Sequence, residues 1–169
     1  MTKFYTARYD RVFKTIMTNN KKILKALLES ILNIKIEEIT IMNNEREIKN
    51  VNLKLKIVDL LVKTKKEIIH IELNTNYGKY YHSRNVSYVF DSYVNNVRKG
   101  DNYNEDINFI GIDLTYNLSD SEIKREYKLI DESGLEYVKN FKMVEYNMDK
   151  CMDVWYSKFK YSNRNTISI

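Results

Sequence analysis

The chain has 169 residues, 43% of them hydrophobic, which is enough to bury one core and short for two domains. Its 28 Lys and Arg residues outnumber 23 Asp and Glu residues, and the resulting net charge of +5 favours a polyanionic partner. The single cysteine excludes an intramolecular disulfide and a cysteine-based zinc cage. Without a signal-peptide pattern or a run of about 20 apolar residues, we expect one cytoplasmic domain, residues 1–169, that does not enter a membrane.

The first 42 residues predict two helices and a short strand. Apolar residues recur at helical spacing over residues 9–17 and again over residues 23–32. Thr18 or Asn19 is expected to cap the second helix, since a side-chain oxygen there can accept a free amide proton of its first turn. Residues 35–42 are expected to form the strand.

Two strands joined by a tight basic turn are predicted between residues 53 and 74. The first alternates and then becomes apolar on both faces up to Val62, a pattern typical of a strand inside a sheet. Thr64, Lys65 and Lys66 form the turn. The two-residue period of the return strand then puts His70, Glu72 and Asn74 on one face.

The second half of the chain continues the alternation of helices and strands. An apolar stripe at helical spacing predicts a helix over residues 79–99, with Gly100 at its exit. Residues 107–118 and 141–148 predict two further strands. Together these elements predict an α/β fold.

Asp59 and Glu72 are acids inside apolar runs, one on each strand of the hairpin. An ionised carboxylate in such surroundings is costly unless a cation, a metal or several hydrogen-bond donors stabilise it. Two acids on paired strands can bind one Mg²⁺ ion through oxygen, and Mg²⁺ keeps waters and phosphate oxygens as its other ligands. The alternative is a strand acid paired with Lys54 or Lys56.

The order of these motifs resembles a known family. Asp59, a twelve-residue interval and then Glu72-Leu73-Asn74 resemble the core of PD-(D/E)XK nucleases, in particular the PD-(D/E)XK nuclease family transposases, which include recombination-promoting nucleases. Further blocks that resemble the family are YDRVFKTIM, KIVDLLVKTKKEIIHIELN, VRKGDNY and LEYVKNFKMVEYNMDK.

This resemblance covers most of the chain and implies a restriction-endonuclease-like core, in which helices flank a mixed β-sheet. It also implies a Mg²⁺- or Mn²⁺-dependent DNA endonuclease linked to recombination or mobile elements. The chain is short for this family, so we expect it to lack a C-terminal portion.

Carried over residue by residue, the resemblance implies that Asp59 and Glu72 bind the metal and that the main-chain carbonyl of Leu73 completes its protein ligands. Asn74 stands where the wider superfamily has Lys and this branch usually has Gln. An amide can orient the attacking water but cannot take its proton. Asp10, on the first helix, is the candidate for an additional acid.

Basic residues near this motif are candidates for nucleic-acid contacts. Lys63, Lys65 and Lys66 form a hairpin tip that we expect beside the acids, where it would bind phosphates; a solvated turn is the alternative. Arg84 would contact the nucleic-acid backbone or support the carboxylates, unless it is an ordinary surface arginine. His70 is given no catalytic role.

Two other functions remain open from the sequence. Asn74 and the chain length are compatible with a degenerate nuclease fold that binds nucleic acid without cleaving it. A protein-interaction module is the second alternative, in which the basic balance is incidental. Double-strand cleavage by a single-site enzyme would favour a homodimer, although no segment of the sequence marks an interface.

Overall fold

The structure is a computed structural model that describes residues 9–42, 59–75, 78–96, 107–119 and 121–154. The elements within these ranges are α1 (Asp10–Asn19), α2 (Lys21–Leu32), β1 (Thr40–Met42), β2 (Leu60–Lys63), β3 (Glu67–Asn74), α3 (Tyr81–Asn96), β4 (Asn108–Thr115), β5 (Lys124–Tyr127) and β6 (Phe141–Asn147). A further helix, α4, is described over residues 148–154. No helix in these ranges is long and apolar enough to cross a membrane.

The strands form one mixed sheet in the order β1-β2-β3-β4-β6-β5. The pairs β1–β2, β2–β3 and β5–β6 are antiparallel. The pairs β3–β4 and β4–β6 are parallel. Because the three central strands run in the same direction, their carboxyl ends meet at one edge of the sheet.

The predicted helices are present, with one correction at the start of α2. Helix α1 continues to Asn19, so neither Thr18 nor Asn19 caps the next helix. The cap is Asn20, whose side-chain oxygen accepts a hydrogen bond from the Ile23 N–H at 3.2 Å. The helix predicted over residues 79–99 is α3, Tyr81–Asn96.

The β2–β3 hairpin is as predicted, although Asp59 immediately precedes β2 rather than lying within it. Only Thr40–Met42 of the strand expected over residues 35–42 is extended. Strand β5 was not predicted, because all four of its residues are exposed and carry no apolar alternation. Residues 53–58, including Lys54 and Lys56, and Gly100 lie outside the described ranges.

The sheet has two unlike faces. On the first, which we call the apolar face, Ile69, Ile71 and Ile112 pack against apolar side chains of α1 and α2. The opposite surface, which we call the α3 face, packs Val89 of α3 against a smaller cluster that includes Phe109 and Phe141, near the amino ends of the parallel strands. Period-two alternation along the strands produces this division.

Gly111 of β4 lets α3 lie close to the sheet. A Cβ atom at this position would be 2.8 Å from Cγ2 of Val89 and 3.2 Å from its Cγ1. Both distances are shorter than an ordinary carbon–carbon contact. The glycine therefore sets how closely α3 covers the residues beside it.

Candidate active site

Beyond Gly111, towards the carboxyl ends of the strands, the α3 face carries a row of buried acids. Glu72 of β3 pairs in register with Asp113 of β4, which in turn pairs with Glu145 of β6. Asp59 stands before β2 at the other end of this row. The residues are 8%, 5%, 4% and 3% exposed in the order Asp59, Glu72, Asp113, Glu145, which is unusual for ionisable side chains.

Main-chain hydrogen bonds connect Asp59 with the strand that carries Glu72. The Asp59 N–H donates to Oε1 of Glu72 at 3.4 Å, and the Leu73 N–H donates to Oδ2 of Asp59 at 2.7 Å. The side chain of Asp10, the first residue of α1, lies within hydrogen-bonding reach of Asp59. The two acids of the hairpin and the candidate acid of α1 are therefore neighbours.

Burial changes the acid–base behaviour of this cluster. Burial, together with the nearby Glu72, raises the pKa of Asp59 to about 8. Burial is also the main reason why the pKa of Glu72 rises to about 7 and that of Asp113 to about 7. Without a cation these carboxyl groups therefore retain protons near neutral pH, and a bound cation would favour their ionised forms.

Two basic side chains favour the ionised form of Glu72. The positive charges of Arg84 and Lys14 both oppose the rise in the pKa of Glu72. Arg84, on α3, donates a hydrogen bond from Nη2 to Oδ1 of Asn74 and another from Nε to Oδ1 of Asn85 at 3.4 Å. Sequence reasoning missed Lys14, although it stands four residues after Asp10 and hence on the same side of α1.

Asn74 is buried two residues beyond Glu72 on β3, with 2% of its surface exposed. Its Oδ1 accepts the hydrogen bond from Arg84, so Nδ2 of the same amide points away from the guanidinium. Among the residues that the structure describes, Nδ2 has no hydrogen-bond partner. A buried donor in this state can bind a water or a phosphate oxygen.

The profile of the PD-(D/E)XK nuclease family transposases matches residues 7–160. The chain belongs to this family. The resemblance expected from the sequence is thus confirmed, and the sheet with its flanking helices is the restriction-endonuclease-like α/β fold that it implied. Membership indicates a nuclease- or transposase-related function. A search of curated proteins found no match.

PD-(D/E)XK nucleases generally use divalent metals, commonly Mg²⁺. Within the described ranges of this family member, no group of three or more His, Cys, Asp or Glu side chains has the arrangement of a metal cage. Mg²⁺ needs only one or two carboxylates when waters and substrate supply the remaining ligands. The adjacent Asp59 and Glu72 are two carboxyl groups of this kind. Metal ligation by them and by the Leu73 carbonyl stays a prediction.

His70 is the site neighbour that sequence reasoning left out of this PD-(D/E)XK domain. It is fully buried, with Nε2 3.0 Å from Oε1 of Glu72 and Nδ1 2.9 Å from Oγ of Ser92 on α3. Burial lowers the pKa of His70 to about 4, so the ring is neutral at physiological pH. The available signal was its position two residues before Glu72, on the same face.

The hairpin-tip lysines are not beside the acids in this family member, so that expectation is wrong. Lys63, Lys65 and Lys66 are exposed around the turn that precedes β3, whereas Glu72 lies near the other end of that strand. Six residues of extended chain from Lys66 to Glu72 span about 20 Å. Contact of these lysines with nucleic acid remains a prediction, at a distance from the acids.

Asp113 and Glu145 were also missed. Each is an acid inside an apolar strand, IGIDLTY and KMVEYN, which is the signal that singled out Asp59 and Glu72. The Tyr127 hydroxyl donates to Oε2 of Glu145 at 2.9 Å. Asn85 opposes the rise in the pKa of Asp113. The row of acids in this PD-(D/E)XK domain therefore extends two strands beyond the motif.

Proposed function

We propose that this protein is a Mg²⁺-dependent DNA endonuclease that hydrolyses phosphodiester bonds during recombination or the movement of mobile elements. The observation that carries the proposal is the buried pair Asp59 and Glu72, joined through the Asp59 N–H and carrying raised pKa values in a member of a nuclease family. Acids buried in this way are stabilised by a bound cation.

Asp59 and Glu72 are the side chains that would hold the metal, with the Leu73 carbonyl as a further oxygen ligand. When bound, Mg²⁺ would polarise the phosphate and stabilise charge on the leaving oxygen. The Leu73 N–H keeps Oδ2 of Asp59 in a fixed orientation. Asp10, next to Asp59, adds negative charge on the side of α1.

Asn74 would orient the attacking water through Nδ2, which is buried and without a partner among the described residues. An amide cannot take a proton, so the proton of the water has to pass to a carboxylate or to solvent. Arg84 holds Oδ1 of Asn74 and therefore fixes which way Nδ2 points. Arg84 and Lys14 together supply positive charge near Glu72, whereas the wider superfamily has a Lys at the position of Asn74.

Nicking of supercoiled plasmid tests this function. We expect the purified protein to nick DNA with Mg²⁺ or Mn²⁺ but not with EDTA. Asp59→Ala and Glu72→Ala should each lower the rate by at least about 100-fold, because a metal contributes several kcal/mol of transition-state stabilisation. Glu132→Ala is a matched control, since Glu132 is an exposed acid in a turn.

Full metal-dependent cleavage by folded Asp59→Ala would contradict the assignment of the site. If the folded wild type binds DNA in EDTA yet cuts with no metal, the protein is a degenerate nuclease that binds without cleavage, and Asn74→Gln and Asn74→Lys are the first restorations to test. Failure to bind DNA at any salt concentration would favour an interaction module. Sedimentation with and without DNA tests the homodimer.

A further inference from the structure

His70 stands between a proposed metal ligand and helix α3. Its two ring nitrogens lie at hydrogen-bonding distance from two different oxygens, 3.0 Å from Oε1 of Glu72 and 2.9 Å from Oγ of Ser92. The ring and Ser92 are fully buried, and Glu72 is 5% exposed. A buried imidazole with both nitrogens occupied has a fixed orientation.

The chemistry of the two partners determines where the ring carries its proton. When Glu72 is ionised, its carboxylate only accepts hydrogen bonds, so Nε2 must then donate to it. In a neutral ring Nδ1 is then an acceptor, and the Ser92 hydroxyl, which can donate, supplies the hydrogen. Glu72 thus determines the tautomer, and the Ser92 hydroxyl complements it and holds the ring in place.

The hydrogen bonds to Glu72 also make its two carboxylate oxygens different. His70 Nε2 and the Asp59 N–H both donate to Oε1. Within the described part of the chain, no hydrogen bond to Oε2 is found. Two donors on one oxygen hold the plane of the carboxylate and leave the second oxygen for another ligand.

We propose that His70, oriented by Ser92, is a positioning residue that holds Glu72 for metal ligation through Oε2. This inference rests on the proposed metal-dependent function. His70 thereby connects Ser92, on the buried side of α3, with Glu72, the proposed metal ligand. His70 itself does not contact the metal or the substrate in this arrangement, because both of its nitrogens are occupied.

The tautomer can be measured in the wild-type protein without any metal. The chain has two histidines, so ¹⁵N-histidine labelling gives two sets of ring signals, and His82→Asn assigns them. At a pH well above the pKa of Glu72, we expect the proton of His70 on Nε2 and an unprotonated Nδ1. A proton on Nδ1 would overturn the proposal, since Nε2 could then not donate to Glu72.

Binding of Mn²⁺, followed by calorimetry, tests the consequence for the ligand. His70→Leu fills the space but has no donor, and we expect it to weaken Mn²⁺ binding by about 10- to 100-fold. His70→Gln can place an amide donor near the original Nε2 and should recover most of the affinity. Ser92→Ala should fall between the two, and Ser133→Ala, at an exposed serine in a turn, is the matched control that should leave binding unchanged.

These outcomes separate the inference from the proposed function. If the wild type binds Mn²⁺ and folded His70→Leu binds it equally well, His70 is only a structural residue, while the nuclease proposal stands. If the wild type binds no Mn²⁺ even with DNA present, both proposals fall. Circular dichroism establishes that each variant is folded, and the wild-type tautomer remains decisive if His70→Leu does not fold.

Discussion

The two faces of the central sheet use the same strands for opposite purposes. On β4, Ile112 is buried in the apolar cluster under α1 and α2, whereas its neighbour Asp113 is buried among polar groups under α3. Both side chains are almost fully hidden from solvent. The first gains free energy from burial, while the second loses hydration that its surroundings do not fully replace.

This difference shows that burial alone does not identify the core of the protein. The apolar face and the amino-terminal half of the α3 face stabilise the fold. The carboxyl-terminal half of the α3 face contains the row of acids, and burying these acids lowers the stability of the fold. A sheet can tolerate such a row because its other contacts are apolar and well packed.

Substitutions at two adjacent residues of β4 should give the largest difference in the free energy of unfolding. We expect Ile112→Ala to lower the free energy of unfolding by about 2–5 kcal/mol, because it leaves a cavity in the apolar face. Asp113→Asn should remain within about 1 kcal/mol of the wild type or be more stable, since it removes a carboxyl group that burial disfavours. Urea unfolding at pH 8 without metal measures both, and equal losses would contradict the contrast between the faces.

A smaller effect is expected where α3 meets the sheet. Gly111→Ala should cost about 1–3 kcal/mol of unfolding free energy, because the new Cβ would be 2.8 Å from Cγ2 of Val89. Adding Val89→Ala removes the clashing methyl groups. The double variant should therefore lose less than the sum of the two single variants, and strict additivity would show that α3 is not held by this contact.

The pH dependence of stability should come mainly from the buried acids. The pKa of Asp59 is about 8 in the folded protein and near 3.8 in an unfolded chain. The folded state therefore binds the proton more tightly, and its stabilising contribution is complete below about pH 4 and lost as the pH rises through about 8. Without metal, the Tm of the wild type should fall more between pH 5 and pH 8 than that of Asp59→Asn.

Metal should reverse this loss. At pH 8, Mg²⁺ should raise the Tm of the wild type, because it binds the folded protein and favours ionised carboxylates. Asp59→Asn should gain little from the same addition. Parallel pH curves for the two proteins, or equal stabilisation by Mg²⁺, would mean that Asp59 is not the group responsible.

Local pattern was sufficient to predict the hairpin, α1, α2, α3 and the strands β4 and β6. It also brought Asp59 and Glu72 together, because antiparallel pairing of neighbouring strands follows directly from a short turn. The distance from the hairpin-tip lysines to Glu72 can also be predicted from the sequence, since it follows from the length of β3.

The remaining features depend on tertiary pairing. Asp113 and Glu145 join Glu72 through the register of parallel strands, and no local pattern in the sequence determines that register. The bonds of His70 to Ser92 and of Arg84 to Asn74 require α3 to lie across the sheet. Strand β5 is exposed along its length, so hydrophobic periodicity could not reveal it.

The connectivity of the acid row implies an order of assembly during folding. Asp59 and Glu72 are 13 residues apart and come together when one hairpin closes. Asp113 and Glu145 arrive through two crossovers, of 33 residues (75–107) and 25 residues (116–140), which cost more loop-closure entropy and form more slowly. We therefore expect the hairpin pair to form in the nascent chain before the rest of the row, so that repulsion between the four acids is met only after most of the apolar face has packed.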